Sequence, residues 1–103
     1  MGAYKVVLVF NLTAGSADEE LRRSASEDSF PNRLSRQPGF LSMELVKVGA
    51  ERTLSIQTWA SDRAFFSALE AVKAQPASAL LPSENILVSR EFFGGEVVAR
   101  FPA

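Results

Sequence analysis

Four residues are the main candidates for chemistry in a chain that contains neither histidine nor cysteine. Without His, the usual general base near neutral pH and the commonest metal ligand are both missing. Ser-His-Asp and Cys-His nucleophile systems are therefore excluded, and a metal site resting on carboxylates alone is not expected. The remaining candidates work through hydrogen bonds, charge or aromatic contact, and they are Asn11, Glu44, Trp59 and Arg90.

Asn11 and Trp59 each have a functional and a structural interpretation. Asn11 ends an apolar segment, where its amide could hydrogen-bond a substrate carbonyl or phenol and stabilise an enolate or oxyanion. An Asn at the end of a strand also commonly satisfies backbone groups of the following loop. Trp59 could stack on a planar ligand, or it could pack in the core where a strand meets a helix. Both alternatives stay open for each residue.

Arg90 and Glu44 are charged residues within otherwise apolar strand patterns. Arg90 lies between Val88 and Phe92, where it could bind an anionic substrate or pair with a carboxylate across an interface, with Glu44 as one candidate. Glu44 could act as a base if it were desolvated, or it could be a paired structural carboxylate. The helical spacing of Phe65 and Leu69, with Phe66 beside them, is typical of core residues.

The first half of the chain predicts a strand followed by a helical region. The strand Tyr4–Asn11 is apolar on both faces, which indicates a central strand covered on both sides. A helix should begin at Ser16, because the sequence S-A-D-E forms a capping box in which Glu19 reaches back to the cap. Pro31 predicts a break in this helix near Asp28–Phe30.

The stretch 37–61 organises the second half of the chain. Pro38-Gly39 predicts a turn, followed by the strand Phe40–Val48, a tight turn at Gly49-Ala50 and the strand Arg52–Ala60. Ser61 is a good N-cap for a helix over Asp62–Lys73. The remaining expected elements are a short turn ASALL after Pro76, a strand over Asn85–Phe93, and a possible fifth strand over Glu96–Phe101 after a Gly94-Gly95 hairpin turn or strand kink.

The element order predicts one α+β domain over residues 1–103 with a ferredoxin-like βαββαβ fold and an antiparallel sheet. Two helices cover one sheet face, so a second copy packing sheet against sheet is expected on the other face, giving a homodimer. A net charge of −1 without a basic stripe argues against nucleic-acid binding. The chain has no apolar run that could span a membrane, and its start does not resemble a signal peptide, so we expect a cytoplasmic protein.

A local motif in this chain is carried by three stretches, which are Gln37-Pro38-Gly39-Phe40, Leu41-Ser42-Met43-Glu44-Leu45, and Leu54–Ser61 followed by Ala64-Phe65. These stretches resemble the antibiotic biosynthesis monooxygenase family of the dimeric α+β barrel superfamily. The motif covers about Pro38–Leu69, and the element order is similar over roughly Tyr4–Val88. The resemblance implies a dimer that closes a barrel from two sheets, with a pocket between each sheet and its helices.

Members of that family include oxygenases that act on aromatic polyketides without metal or flavin, quinone-acting enzymes and haem-degrading enzymes. Asn11 falls where relatives carry a pocket Asn, and Trp59 matches the Trp at the end of their strand. Ala68 occupies the position where relatives often have His, or Trp in haem-degrading members. Because this chain has no His at all, haem ligation of that kind is not expected.

The resemblance implies a cofactor-independent monooxygenase that acts on a small planar aromatic or quinol-like compound and uses neither metal nor other cofactor. The catalytic residue would be Asn11, and the substrate-binding residues would be Trp59, Phe65, Phe66, Leu69 and Arg90. The alternative is a non-catalytic dimeric module of the same fold that binds a small organic ligand or serves regulation, since this fold supports many functions.

Overall fold

The computed structural model describes residues 2–75 and 85–102 of the chain. Its elements are β1 (Tyr4–Leu12), α1 (Ala17–Ser24), α2 (Phe30–Ser35), β2 (Phe40–Lys47), β3 (Arg52–Trp59), α3 (Asp62–Lys73) and β4 (Leu87–Glu96). The strands form one antiparallel sheet in the order β2-β3-β1-β4. The predicted ferredoxin-like α+β fold is therefore confirmed, with its first helical region divided into α1 and α2.

The helices pack on one face of the sheet, which we call the helix side. The buried core combines Val6 and Trp59 of the sheet with Leu34 of α2 and three residues of α3, Phe65, Ala68 and Val72. The opposite face, which we call the open face, has no helix on it in the described part of the chain. It carries apolar residues of the two central strands, which are Val7, Val9, Leu54 and Ile56.

The Pro38-Gly39 turn and the start of α3 follow the local sequence closely. Gly39 has a φ of +86° and lies so close to Ala64 that a Cβ at position 39 would press into the Ala64 side chain. Only glycine combines that backbone conformation with that close approach. Ser61 caps α3 by accepting a hydrogen bond from the Ala64 amide at 3.0 Å. The helix therefore begins and ends as predicted.

The first helical region differs from the prediction because Glu19 has stronger partners than the helix cap. Ser16 makes no side-chain cap bond, and its hydroxyl instead pairs with that of Thr13 at 2.6 Å. Hydrogen bonds from Arg22 and Arg23 hold the Glu19 carboxyl, and they lower its pKa from 4.5 to about 2. The predicted capping box is therefore wrong.

Pro31 begins a helix rather than interrupting one. It lies in the first turn of α2, where its missing N–H has no helical partner to lose. The Ser29 side chain caps this helix by accepting a bond from the Asn32 amide at 3.2 Å. The chain leaves α1 at Ser24, several residues before the predicted break.

The last strand is longer than expected, and no fifth strand follows it in the described residues. β4 pairs with β1 through both Gly94 and Gly95, so these glycines neither form a hairpin turn nor end the strand at Phe93. Residues 97–100 are irregular. The predicted turn ASALL lies outside the described residues. No helix in residues 2–75 and 85–102 is long and apolar enough to cross a membrane.

Candidate functional site

A row of polar side chains from β3 lies beneath the helices. Thr53, Ser55 and Gln57 are buried there, and Trp59 completes the row with an exposed fraction of 0%. Trp59 Nε1 donates a hydrogen bond to Gln57 Oε1 at 2.9 Å, and Gln57 Nε2 donates to Ser55 Oγ at 3.1 Å. Buried polar groups are costly unless they are hydrogen-bonded, so this chain of bonds allows a polar row inside the helix-side layer.

Aromatic rings extend from this row to the protein surface. Trp59 meets Phe65 edge-on with ring centroids 5.6 Å apart, and Phe65 stacks on Phe92 of β4 at 5.8 Å with an interplanar angle of 25°. Phe65 is buried, whereas Phe92 keeps 45% of its surface exposed. Phe66, which contacts Phe65 edge-on, is 48% exposed. The core thus presents an aromatic surface beside β4.

Arg90 lies next to this aromatic surface. It is two residues before Phe92 on β4, so both side chains point to the helix side. Arg90 is exposed, and it has neither a hydrogen bond nor an ion pair within residues 2–75 and 85–102. We call Phe65, Phe66, Arg90 and Phe92 the β4 surface. It combines aromatic faces, which bind planar molecules, with an available guanidinium group, which binds oxyanions.

Asn11 lies elsewhere, at one end of the open face. Its Oδ1 accepts a hydrogen bond from Arg52 Nε at 2.8 Å, and its Nδ2 donates to Ser89 Oγ at 3.1 Å and to Glu91 Oε2 at 3.4 Å. A shallow pocket of about 360 Å³ includes this position, and its lining residues are Asn11, Leu12, Val48, Ala50, Glu51, Arg52 and Val88. The Asn11 amide is therefore bound by side chains of the neighbouring strands.

The sequence-predicted site residues do not all lie together. Trp59 and Phe65 share the core, and Leu69 packs against it, while Phe66 and Arg90 lie at its exposed edge. Asn11 pairs with Arg52 in the sheet and points away from the helices, so it cannot share a pocket with Trp59. The catalytic or binding role of each of these sequence-predicted residues stays a prediction. Glu44 is also on the open face. Because Arg90 is on the helix side, these two residues cannot pair with each other within one chain.

Gln57, Ser55 and Phe92 were missed as site residues by the sequence analysis. The sequence feature that could have identified Ser55 and Gln57 is the alternation in β3. Ser55, Gln57 and Trp59 share one face of this strand, and Leu54 and Ile56 share the other. The usual assumption places the apolar set in the core, which is the reverse of the observed arrangement. Among the described residues, no group of three acidic side chains converges as a metal site would require.

No protein-family model matches this chain, and no curated protein does either. Solved structures do match it over nearly their full lengths. SnoaB, a cofactor-independent oxygenase from Streptomyces nogalater, is 23% identical over 100% of both chains with a TM-score of 0.68. A dimeric ferredoxin-like protein from an uncultured marine organism is 20% identical over 98% of this chain and 92% of its own, with a TM-score of 0.75.

A point mutant of MhuD with two manganese protoporphyrin IX molecules bound per active site also matches. It is 24% identical over 97% of this chain and 99% of its own, with a TM-score of 0.74. Other matching structures are described as antibiotic biosynthesis monooxygenases. The resemblance noted in the sequence is therefore confirmed at the level of the fold.

Replacing Gln57 tests the buried row. Gln57→Met keeps the length of the side chain but removes the acceptor of Trp59 Nε1 and the donor to Ser55 Oγ. Each buried group left without a partner costs about 1–3 kcal/mol, so we expect a free energy of unfolding lower by at least about 2 kcal/mol in urea titrations. Thr58→Val is the matched control, because Thr58 faces the other side and its bond partner Lys5 is exposed. Equal losses in the two variants would contradict the importance of the row.

Proposed function

We propose that this protein is a cofactor-independent oxygenase that binds a small planar aromatic molecule with an ionisable hydroxyl group at the β4 surface. The observation that carries the proposal is the half-exposed Phe92 ring, stacked on Phe65 and flanked on its own strand by the free Arg90. Such a surface offers a ring to stack on and a cation for one oxygen atom. The full-length similarity in fold to a cofactor-independent oxygenase supports the same assignment.

The reaction needs no redox group from the protein, because the substrate itself supplies the electrons. An enolate or phenolate transfers electrons to O₂, and a ring methylene group becomes a carbonyl group. One oxygen atom enters the product, and the other leaves as water together with the two methylene hydrogens. The protein contributes an aromatic surface that positions the substrate and a charge that stabilises the anion.

Arg90 would supply that charge. A guanidinium group beside a phenol or enol favours its ionised form, since an opposite charge close by stabilises the anion. The substrate can then lose its proton to water, so the mechanism does not depend on the histidine base that the chain lacks. Trp59 and Leu69 would act from beneath, by holding Phe65 in place.

Oxygen consumption tests this function with dithranol, a dihydroxylated anthrone that carries a ring methylene group, as the probe substrate. We expect turnover by the purified protein, and a kcat/KM lowered about tenfold or more in Arg90→Gln, because a charge-assisted hydrogen bond contributes about 1.5–3 kcal/mol. Arg63→Gln is the control, since Arg63 is an exposed arginine of α3. An unchanged rate in Arg90→Gln would remove Arg90 from the reaction.

The same oxygen-consumption assay separates the catalytic role of Asn11 from a purely structural one. If Asn11 is catalytic, Asn11→Ala lowers turnover and leaves the oligomeric mass unchanged. Because the Asn11 amide is bound by Arg52, Ser89 and Glu91 on the open face, unchanged turnover would assign it to the sheet structure alone.

The alternative function is a module that binds the same class of ligand without chemistry. The β4 surface supports this function equally well, because stacking and ion pairing need no proton acceptor. Binding of alizarin, a dihydroxyanthraquinone, in the absence of oxygen uptake with any probe would favour the binding module. Alizarin binding is measured by the change in its visible spectrum when a phenol group ionises.

We also propose that a second copy of the chain covers the open face. Phe93 is 55% exposed there, beside Val7 in the neighbouring strand, and it extends the apolar patch of the central strands. Apolar sheet faces of this kind pack against one another in twofold dimers. A match in the same fold is described as dimeric, which supports this arrangement.

Light scattering tests the dimer at micromolar concentration. We expect the mass of two chains, and a mass nearer one chain in Phe93→Glu, because the charge would be buried without a partner in the interface. Leu45→Glu is the control, since Leu45 is 40% exposed but lies on the helix side. A monomeric wild-type protein would contradict the proposed dimer.

A further inference from the structure

We propose that the hydroxyl group of Tyr4 is a second polar contact for the ligand of the β4 surface, which makes Tyr4 a specificity-determining residue. This inference rests on the proposed function, since it concerns the same site. Tyr4 lies at the start of β1 and faces the helix side, opposite to Glu96 in the register with β4. Its ring contacts both Phe65 and Phe66, each with ring centroids 6.1 Å apart.

Gly94 allows the phenol group to reach the β4 surface. A Cβ at position 94 would clash with Tyr4 Oη and would lie 3.2 Å from Phe92 Cζ. The phenol oxygen and the tip of the Phe92 ring therefore meet over the same glycine. Any side chain at this position would separate the two, so Gly94 permits a phenol hydroxyl at the edge of the exposed ring.

The Tyr4 hydroxyl is available to a ligand. It makes no hydrogen bond within residues 2–75 and 85–102. Every buried side-chain polar atom of those residues has a partner, so the unpartnered Tyr4 Oη must be reached by solvent. A hydroxyl held by ring contacts but not by a hydrogen bond can donate to a ligand without first breaking a bond in the protein.

Arg90 and Gly94 lie on either side of Phe92 along one face of β4. Arg90, Phe92 and Gly94 follow one another at two-residue spacing on one face of β4, about 7 Å apart for each step. Arg90 occupies the first of these positions, and the Tyr4 hydroxyl lies over the last. A ligand that matches both is a planar aromatic anion with its ionised hydroxyl at one end and a carbonyl acceptor at the other.

This geometry selects among aromatic ligands in a way that Arg90 alone does not. A molecule with one hydroxyl group and no carbonyl can pair with Arg90 and stack on Phe92, but it gains nothing from Tyr4. A hydroxylated quinone or anthrone gains both contacts. The structural alternative is that Tyr4 only packs against α3, and in that case removing its hydroxyl changes no affinity.

Tyr4→Phe separates these possibilities, because it keeps both ring contacts and removes only the oxygen. We expect alizarin to bind this variant with a Kd about three- to tenfold higher, as for one lost neutral hydrogen bond. A naphthol without a carbonyl group should bind the variant and the wild-type protein equally. Gly94→Ala, which displaces the phenol group, should weaken alizarin binding in the same selective way.

A spectroscopic measurement makes the test independent of affinity. Tyr4 is the only tyrosine of the chain, so incorporation of fluorotyrosine places a single fluorine signal at this residue. We expect the signal to shift on addition of alizarin and to move much less with the naphthol. Alizarin binding with equal affinity in Tyr4→Phe and an unmoved fluorine signal would overturn the role of Tyr4 while leaving the β4 surface intact. Failure of the wild-type protein to bind alizarin would contradict both the site and the inference.

Discussion

The arrangement of this molecule depends on the alternation of side chains along β3. Thr53, Ser55 and Gln57 point beneath the helices, and Leu54 and Ile56 point to the open face. A shift of one residue would exchange the two sets, because successive side chains of a strand point to opposite faces. Trp59 fixes the observed choice, since it is fully buried between Phe40 and Phe65 and hydrogen-bonded to Gln57.

This alternation gives the two faces of the sheet different properties. The helix side combines polar groups with an aromatic series that reaches the surface at Phe92, which is the composition of a ligand site. The open face is apolar at its centre and carries Lys5, Glu44 and Arg52 around it. Apolar residues that stay accessible to solvent on a sheet face are typical of an interface.

Much of the fold could be predicted from local signals. The helix α3 was predicted residue for residue, because the Ser61 cap and the apolar stripe of Phe65, Ala68 and Val72 agree with one another. The start of the first helix was harder to predict, because the Glu19 carboxyl can bind either the helix cap or the neighbouring arginines. In the structure the arginines hold it. The Gly94-Gly95 pair is compatible with either a turn or a strand, and only the pairing with β1 decides between them.

The candidate site was less predictable, because it depends on which face each strand turns towards the helices. The alternation placed Asn11 with Val7 and Val9, but it did not show that this set lies opposite to Trp59. The link between Tyr4 and Gly94, which are distant in sequence, exists only through the strand register. Residue types alone therefore identified Trp59 and Arg90 as candidates, whereas Phe92, Gln57 and Tyr4 required the sheet.

Thiol labelling tests most directly whether the two faces have different roles, because the natural chain contains no cysteine. In Glu96→Cys the single thiol is on the helix side, opposite to Tyr4 at the edge of the β4 surface, and in Ile56→Cys it is on the open face. We expect rapid labelling at position 96 that alizarin slows, and slow labelling at position 56 that dilution accelerates and alizarin leaves unchanged. Equal labelling rates at the two positions, with the same response to alizarin and to dilution, would contradict the assignment of one face to a ligand and the other to a second copy.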